Sequence, residues 1–162
     1  MHPLLVVQMF ALLTAANGTP VLAKKLLPRF MGRPVDGEYE FFDGRAVFGP
    51  SKTIRGVLLA VSITLVLSPL IGLPWFIGGI VGTTAMAGDL FSSFIKRRMN
   101  LAPSAMALGL DQIPECLFPM LACKPLIDLT IIDIALIVAA FFTCEFVASP
   151  LLFKLKIRDR PF

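Results

Sequence analysis

Residues 57–88 read VLLAVSITLVLSPLIGLPWFIGGIVGTTAMAG and contain no charged side chain. An α-helix rises about 1.5 Å per residue and needs roughly 20 apolar residues to cross a bilayer. A run of 32 residues is therefore too long for a single crossing. Pro69, Gly72 and Pro74 favour a turn inside the run, so it predicts two consecutive membrane helices joined by a short turn.

Two further apolar runs flank this pair. Residues 3–23 carry no charge, and residues 134–153 are interrupted only by Glu145. With 56% hydrophobic residues and a mean hydropathy of +0.81, the chain is more apolar than soluble domains of its size. We expect residues 1–162 to form a single membrane-embedded domain of the all-α class.

The segment after residue 99 predicts one more helix. Residues 100–110 hold Pro103 and are interpreted as a cytoplasmic loop, after which a short helix is expected from Asp111 to about Ile127. The predicted fold is therefore an all-α integral membrane protein. It has five transmembrane helices, with a polar cytoplasmic loop between the first and the second.

Basic residues predict which ends of the helices face the cytoplasm, because short loops rich in Lys and Arg stay on that side. With the N-terminus outside, fourteen of the 15 Lys and Arg residues are cytoplasmic and only Lys124 lies opposite. We expect a multi-pass protein of the cell (inner) membrane, with a cytoplasmic C-terminus and active site. The net charge of +4 then faces anionic lipid, and no nucleic acid is expected as a partner. The cations expected to anchor the protein to lipid are Lys24, Lys25, Arg98 and those of the C-terminal tail.

The third predicted helix carries a packing signal. Two rows of small residues recur at a spacing of four, which lets neighbouring helix backbones approach closely. The rows are Gly78, Gly82 and Met86, and Gly79, Thr83 and Ala87. We expect these glycines to allow close helix packing and to make no contact with a ligand.

An acidic residue interrupts the apolar pattern at Asp89. On a helix, Asp89, Ser93, Lys96 and Arg97 share one face, and Asp89 lies about 10 Å deeper than Lys96. An ionisable residue at such a depth is costly and indicates a functional role.

A second polar cluster directly precedes the second predicted helix. Ser51, Lys52, Thr53 and Arg55 place hydroxyl and cationic donors beside the N-terminal amides of that helix, which suits phosphate. A nucleotide P-loop is excluded, because the lysine falls two residues late and no strand precedes the loop.

Asp111 has two interpretations. It could cap the helix that it opens, with Glu115 as a surface acid one turn on. It could instead share a Mg²⁺ ion with Asp89, because Mg²⁺ takes carboxylate oxygens together with substrate phosphates. We favour the metal site, with the two aspartates as ligands and the clustered cations clamping phosphate groups. The predicted catalytic residues are Asp89, Asp111, Lys96 and Arg97.

The order of short motifs along the chain resembles that of one enzyme family. The matching elements cover nearly the whole chain at compatible spacing. They are Asn17 with Pro20 and Lys24, Pro34 to Gly37, Phe42 to Arg45, Phe48 and Gly49, Lys52 and Thr53, Arg55 and Gly56, Gly88 to Leu90, Ser93 and Phe94, Lys96 to Arg98, and Leu110 to Gln112. The pattern is similar to that of the CDP-archaeol synthases, which are related to the CTP:phosphatidate cytidylyltransferases.

The resemblance implies an integral-membrane enzyme of phospholipid biosynthesis. It would use CTP and Mg²⁺ to convert a membrane lipid phosphate into a CDP-lipid and pyrophosphate. The lipid would be 2,3-bis-O-geranylgeranyl-glycerol 1-phosphate or a phosphatidate-like molecule. The implied partners are CTP, this lipid and the bilayer, and a homo-oligomer is left open. The implied substrate-binding residues are Asn17, Asp43, Arg45, Ser51, Lys52, Thr53, Arg55, Ser93 and Gln112.

Two departures from the family pattern bear on function. Ile54 stands where an aromatic residue is expected, which predicts a packing change. Glu145 and Ser149 stand where a His and an Asn are expected, which predicts a different selection of lipid headgroup or chain if these positions contact the lipid. For Glu145, pairing with a polar group within the bundle is an equally good interpretation.

Two other classes fit parts of the sequence. One is a small multi-pass cation transporter, with Asp89, Asp111 and Glu145 along the ion path. The other is a catalytically inactive membrane assembly subunit. Polar residues other than Glu145 collect at one membrane face, whereas a transporter needs them at matching depths through both leaflets. The sequence therefore favours the enzyme.

Overall fold

The computed structural model describes residues 1–27, 31–102 and 107–154. Within these ranges the chain forms five α-helices and, apart from two isolated bridges, no β-structure. The helices are α1 (Pro3–Leu26), α2 (Ile54–Leu70), α3 (Trp75–Arg98), α4 (Gln112–Cys123) and α5 (Ile131–Lys154). The predicted number of helices is confirmed. The predicted cytoplasmic cations Arg29, Lys156, Arg158 and Arg160 lie outside the described residues.

Helix α1 is longer than the apolar run that predicts it. It begins at Pro3, whose fixed φ suits the first helical position, and continues through Pro20 to Leu26. Lys24 and Lys25 therefore form its last turn and do not begin the loop. Cations in a last helical turn interact favourably with the helix dipole, which is consistent with this extension.

Helices α2 and α3 form the predicted pair around a tight turn. Gly72 has φ = 84°, a left-handed conformation that glycine adopts without a steric penalty. The Ser68 hydroxyl donates to the Pro74 carbonyl oxygen at 2.8 Å and closes the turn. The Gln8 side chain of α1 donates to the Ile71 carbonyl oxygen at 2.6 Å and ties the turn to the bundle.

One of the two small-residue rows of α3 makes the contact with α2. A Cβ atom on either Gly78 or Gly82 would strike Thr64, so only glycine permits this approach. The predicted packing role of the second row is wrong, because Thr83 and Ala87 are exposed on the far side of the helix.

The apolar core occupies one half of the bundle and polar residues occupy the other half. The fully buried core side chains include Met9, Leu12, Ile77, Met120 and Ile137. Toward the other end of the bundle the side chains that face inward become polar. This change occurs at Asn17 on α1, Asp89 on α3, Glu115 on α4 and Glu145 on α5.

The opposite end of the bundle is closed by an interaction of the N-terminus. The backbone amide of His2 donates to Asp133 Oδ1 at 2.9 Å, and the Thr130 hydroxyl donates to Asp133 Oδ2 at 2.7 Å. His2 therefore lies at the end of the bundle opposite the polar half that contains Asp89.

Residues 31–53 form an ordered, non-helical loop, as predicted. The Asp36 carboxylate accepts hydrogen bonds from the amides of Phe48 and Gly49, both at 2.8 Å. Partial burial alone would raise the pKa of Asp36. These amides and that of Glu38 stabilise the charged form, so the pKa of Asp36 lies below its usual value.

Two of the five described helices have the length and hydropathy of membrane spans. Among the described residues, α1 and α5 are long and apolar enough to cross a bilayer, and α2 is apolar but shorter, with 17 residues. Large apolar side chains are exposed on several helices, which suits contact with lipid tails. Examples are Leu4, Val66, Phe91, Ile131 and Val147.

Candidate active site

A cavity of about 620 Å³ opens in the polar half of the bundle. All five helices and the loop that precedes α2 contribute to its wall. Positive and negative side chains face each other in it. The charged lining residues are Lys24, Lys52, Arg55, Lys96, Arg97, Asp89, Asp111, Glu115 and Glu145.

The first ion pair of the cavity joins the loop to α3. The Lys52 amine donates to Asp89 Oδ1. Thr53 fixes the position of the lysine, because its hydroxyl caps α2 by accepting a hydrogen bond from the Gly56 amide at 3.3 Å. Burial alone would lower the pKa of Lys52. The carboxylates of Asp89 and Glu115 raise it by more, so the pKa of Lys52 lies above its usual value and the amine stays charged.

The second ion pair joins α3 to the start of α4. Lys96 Nζ lies 2.6 Å from Asp111 Oδ1, and both side chains are mostly buried. Asp111 Oδ2 accepts a hydrogen bond from the Ala107 amide at 2.9 Å. The helix-capping interpretation of Asp111 is wrong, because its side chain makes no capping hydrogen bond to α4. Its carboxylate instead turns toward Lys96.

Glu115 is a site residue that sequence reasoning missed. It is 6% exposed, and its carboxyl group lies beside that of Asp89, with which it interacts electrostatically. Helix α4 can approach α3 here because Gly88 lacks a side chain, and a Cβ atom there would lie 2.5 Å from the Pro114 carbonyl carbon. The sequence feature that could have identified Glu115 is its position four residues after Asp111, which places both acids on one face of α4.

Two arginines of the lining are held by backbone carbonyl groups. Arg55 donates to the Leu27 carbonyl oxygen at the end of α1. Arg97 donates to the Ala102 carbonyl oxygen at 2.9 Å. Both residues are buried and reach the cavity wall, so they supply positive charge from fixed positions.

Most of the predicted site residues meet at this cavity. Its lining includes Asn17, Ser51, Lys52, Thr53, Arg55, Asp89, Ser93, Lys96, Arg97 and Asp111. Three predicted residues, Asp43, Arg45 and Gln112, are not part of the lining. Lys24, which was expected only to anchor the protein to lipid, does line the cavity.

Asp43 and Arg45 fasten the loop to the end of α3. Arg98 Nε lies 3.1 Å from Asp43 Oδ2, and the Arg98 guanidinium lies 4.8 Å from the ring centroids of both Phe41 and Phe94. Arg45 donates to the Arg98 carbonyl oxygen at 2.5 Å. The expected lipid-anchoring role of Arg98 is therefore corrected, because its guanidinium binds the loop.

Gln112 lies behind the cavity wall. Its side-chain oxygen accepts a hydrogen bond from the Gly109 amide at 2.8 Å, and its nitrogen donates to Glu145 Oε2 at 3.4 Å. Gln112 thereby orients Glu145. Glu145 and Ser149, which stand where a His and an Asn are expected from the sequence, do line the cavity.

The oxygen donors of the cavity fit a divalent cation that is bound together with phosphate. The carboxyl groups of Asp89 and Glu115 lie side by side, and two neighbouring carboxylates repel each other unless a proton or a cation lies between them. Among the residues that the structure describes, no three or more His, Cys, Asp or Glu side chains form a metal site by themselves. Mg²⁺ typically uses one or two carboxylates and completes its shell with water and substrate phosphates, so the donor set suits it.

Comparison with known proteins identifies the family. The family model for CarS-like CDP-archaeol synthase matches residues 4–162. The CDP-archaeol synthase of Sulfurisphaera tokodaii is 34% identical over 152 residues, which cover 90% of this chain and 88% of that protein. The CDP-archaeol synthase of Sulfolobus acidocaldarius is 30% identical over 152 residues, which cover 90% of both chains.

A solved structure has the same fold. It is that of an intramembrane enzyme for archaeal membrane lipids biosynthesis, and it superposes with a TM-score of 0.77 at 27% identity. The match covers 88% of this chain and 90% of the solved one. This likeness shows that the chain is a membrane protein.

The predicted enzyme class is confirmed by these similarities. CDP-archaeol synthases are cytidylyltransferases that use CTP and a lipid phosphate, and nucleotidyltransferases of this kind usually need a divalent metal ion. The transporter and inactive-subunit alternatives receive no support. By sequence over nearly its whole length, the chain belongs to the CDP-archaeol synthase family.

Proposed function

We propose that this chain transfers the cytidylyl group of CTP to an archaeal lipid phosphate inside the cavity. A phosphate oxygen of the lipid attacks the α-phosphorus of CTP and forms a new P–O bond. The bond from that phosphorus to the bridging oxygen breaks, and pyrophosphate leaves. The observation that supports this most is that the Lys52–Asp89 and Lys96–Asp111 pairs share one cavity in the polar half of the bundle.

The attacking oxygen needs no general base. The second pKa of a phosphate monoester is about 6, so the lipid phosphate is already anionic near neutral pH. The cavity lining contains no histidine among the described residues, and His2 is bound to Asp133 at the other end of the bundle. The remaining barrier is the approach of two anions, which positioning and charge neutralisation lower.

The cations of the cavity perform this neutralisation. Lys52 and Lys96 are each held by a carboxylate at the wall, so both amines are in place before a substrate enters. Arg55 and Arg97 add two charges whose positions are fixed by backbone carbonyls. These four groups can donate charge-assisted hydrogen bonds to the triphosphate and to the lipid phosphate.

Asp89 and Asp111 are the proposed Mg²⁺ ligands, and Glu115 joins them through its contact with Asp89. When bound, the ion would neutralise charge on the triphosphate and on the departing pyrophosphate. When no substrate is present, Asp89 pairs with Lys52 and Asp111 pairs with Lys96. Each aspartate can exchange its lysine partner when the nucleotide arrives.

We place the cavity at the cytoplasmic face of a cell membrane, with five crossings and the N-terminus outside. The excess of Lys and Arg at the cavity end supports this orientation. Helix α4 is about 18 Å long, less than the roughly 30 Å hydrocarbon core, because it begins at the depth of the cavity. A single domain over residues 1–162 remains a prediction from the sequence.

The lipid is proposed to be an ether-linked archaeal lipid phosphate, on the basis of the relatives' activity. Purified protein should be incubated with CTP, Mg²⁺ and either an isoprenoid diether glycerol phosphate or a diacyl glycerol phosphate. We expect one pyrophosphate per CDP-lipid with the diether substrate, and no product when CTP is replaced by UTP. Folded protein that releases no pyrophosphate with either lipid would contradict the proposed function.

A further inference from the structure

A shallow apolar groove runs along the outer face of α5. We infer that it binds a hydrocarbon chain of the lipid phosphate substrate, which enters the cavity between α1 and α5. This inference rests on the proposed function and adds to it the place of the lipid chain. Residues of the groove include Leu136, Ala140, Thr143, Cys144, Val147 and Leu151.

The chemistry of the groove suits a hydrocarbon chain. Thr143 is its one hydroxyl-bearing residue, and this hydroxyl donates to the Ala139 carbonyl oxygen of its own helix at 2.8 Å. A chain lying there would therefore meet methyl and methylene groups and the Cys144 thiol, which packs as a small apolar group.

The groove is continuous with the catalytic cavity. Cys144 and Ala148 line both spaces. On the facing helix, Gly18, Val21 and Leu22 also line the cavity. A Cβ atom added to Gly18 would meet nothing within 4 Å, so the space beside this part of α1 is open. A chain can thus pass sideways between α1 and α5 while its phosphate lies in the cavity.

The length and direction of the groove match those of a lipid chain in the membrane leaflet on the cavity side. From Ala148, at the level of the cavity, to Leu136 the groove follows α5 for about 18 Å. One leaflet of hydrocarbon is about 15 Å thick, half of a core of roughly 30 Å. The groove runs from the cavity level at Ala148 toward the opposite end of the bundle, which is the direction of a lipid tail from its headgroup.

A second copy of this chain is the competing occupant. A second copy bound to the groove would not require the groove to connect with the cavity, whereas a substrate chain would. The shared lining residues Cys144 and Ala148 therefore favour the substrate chain.

The test is a Trp substitution in the groove. Ala140→Trp fills the groove at a residue that does not line the cavity, and Ala87→Trp on the exposed face of α3 is the matched control. The value of kcat/KM should be measured with a full-length isoprenoid diether glycerol phosphate and with an analogue whose chains have one isoprene unit. The Kd for CTP and the oligomeric state are measured alongside.

For Ala140→Trp we expect the ratio of kcat/KM for the short substrate to that for the long one to rise about tenfold, equivalent to about 1.4 kcal/mol. The Kd for CTP should stay within about twofold, and Ala87→Trp should leave the ratio unchanged. An unchanged ratio in Ala140→Trp would overturn the inference. So would equal losses for both substrates together with dissociation of an oligomer, which would assign the groove to a second copy. If wild-type protein turned over neither lipid, the proposed function itself would fail.

Discussion

Glu115 on α4 and Asp89 on α3 bring their carboxyl groups side by side in the wall of the cavity. Lys52 approaches the same pair from the loop and forms an ion pair with Asp89. The closeness of two acids is costly in an apolar bundle unless positive charge balances it. The arrangement is explained if these acids bind a cation that accompanies a polyphosphate.

Replacing Glu115 by Gln tests whether this residue contributes to cation binding. Glu115→Gln keeps the size of the side chain and removes one negative charge beside Asp89. We expect the Mg²⁺ concentration for half-maximal pyrophosphate release to rise about tenfold to a hundredfold, as for partners of metal ligands. Glu40→Gln, on the exposed part of the loop, is the control. An unchanged Mg²⁺ dependence in Glu115→Gln would remove this residue from the site.

Replacing Lys52 by Ala should impair the use of CTP more than it impairs folding. The change removes one charge-assisted contact to the nucleotide and leaves Asp89 without its lysine. We expect the KM for CTP to rise about tenfold, which corresponds to about 1.4 kcal/mol. Initial rates against CTP concentration would measure this, with exposed Lys124→Ala as the control. A CTP dependence like that of the wild type would argue against the role of Lys52.

The helices were predictable because apolar runs and prolines mark them directly. Pro69, Gly72 and Pro74 bracket the observed turn between α2 and α3. The end of α1 was less predictable, because Pro20 and the lysines after it suggest a boundary where the helix in fact continues.

The site was predictable where spacing along one helix determines which side chains share a face. Asp89, Ser93 and Lys96 reach one cavity for this reason. Glu115 was missed because its burial depends on the approach of α4 to α3, which the sequence does not state. Asp43 was assigned to substrate although the structure places it against Arg98, because tertiary contacts decide which charges of a loop pair with each other.

The close approach of α4 to α3 requires Gly88. A methyl group there would collide with the backbone at Pro114, whereas one on Gly79 would meet only the Leu65 side chain, at 3.8 Å. We expect Gly88→Ala to destabilise the protein by about 1–3 kcal/mol, as overpacking does. Gly79→Ala should be close to neutral. Thermal unfolding of the two variants in the same detergent would compare them, and equal midpoints would contradict this packing.

The loop should respond to acid through Asp36. Because the pKa of Asp36 lies below its usual 3.8, its stabilising contribution is complete above 3.8 and is lost as the pH falls through the lowered value. The hydrogen-exchange protection of the Phe48 and Gly49 amides should therefore hold from about pH 8 to about pH 5 and fall only in stronger acid. Asp36→Asn should abolish this acid-dependent change. A loss of protection already between neutral pH and about pH 5 would show that another group controls the loop.

The decisive measurement follows the α-phosphorus of labelled CTP into lipid. Purified wild-type protein and Asp89→Asn are supplied with the diether glycerol phosphate and Mg²⁺, and radioactivity in the extracted lipid is counted. We expect the wild type to transfer the label and Asp89→Asn to lose at least about a hundredfold in rate while it still inserts into membranes, since a preorganised charge at the reacting centre is removed. Transfer by Asp89→Asn at the wild-type rate would contradict a reaction centred on this carboxylate.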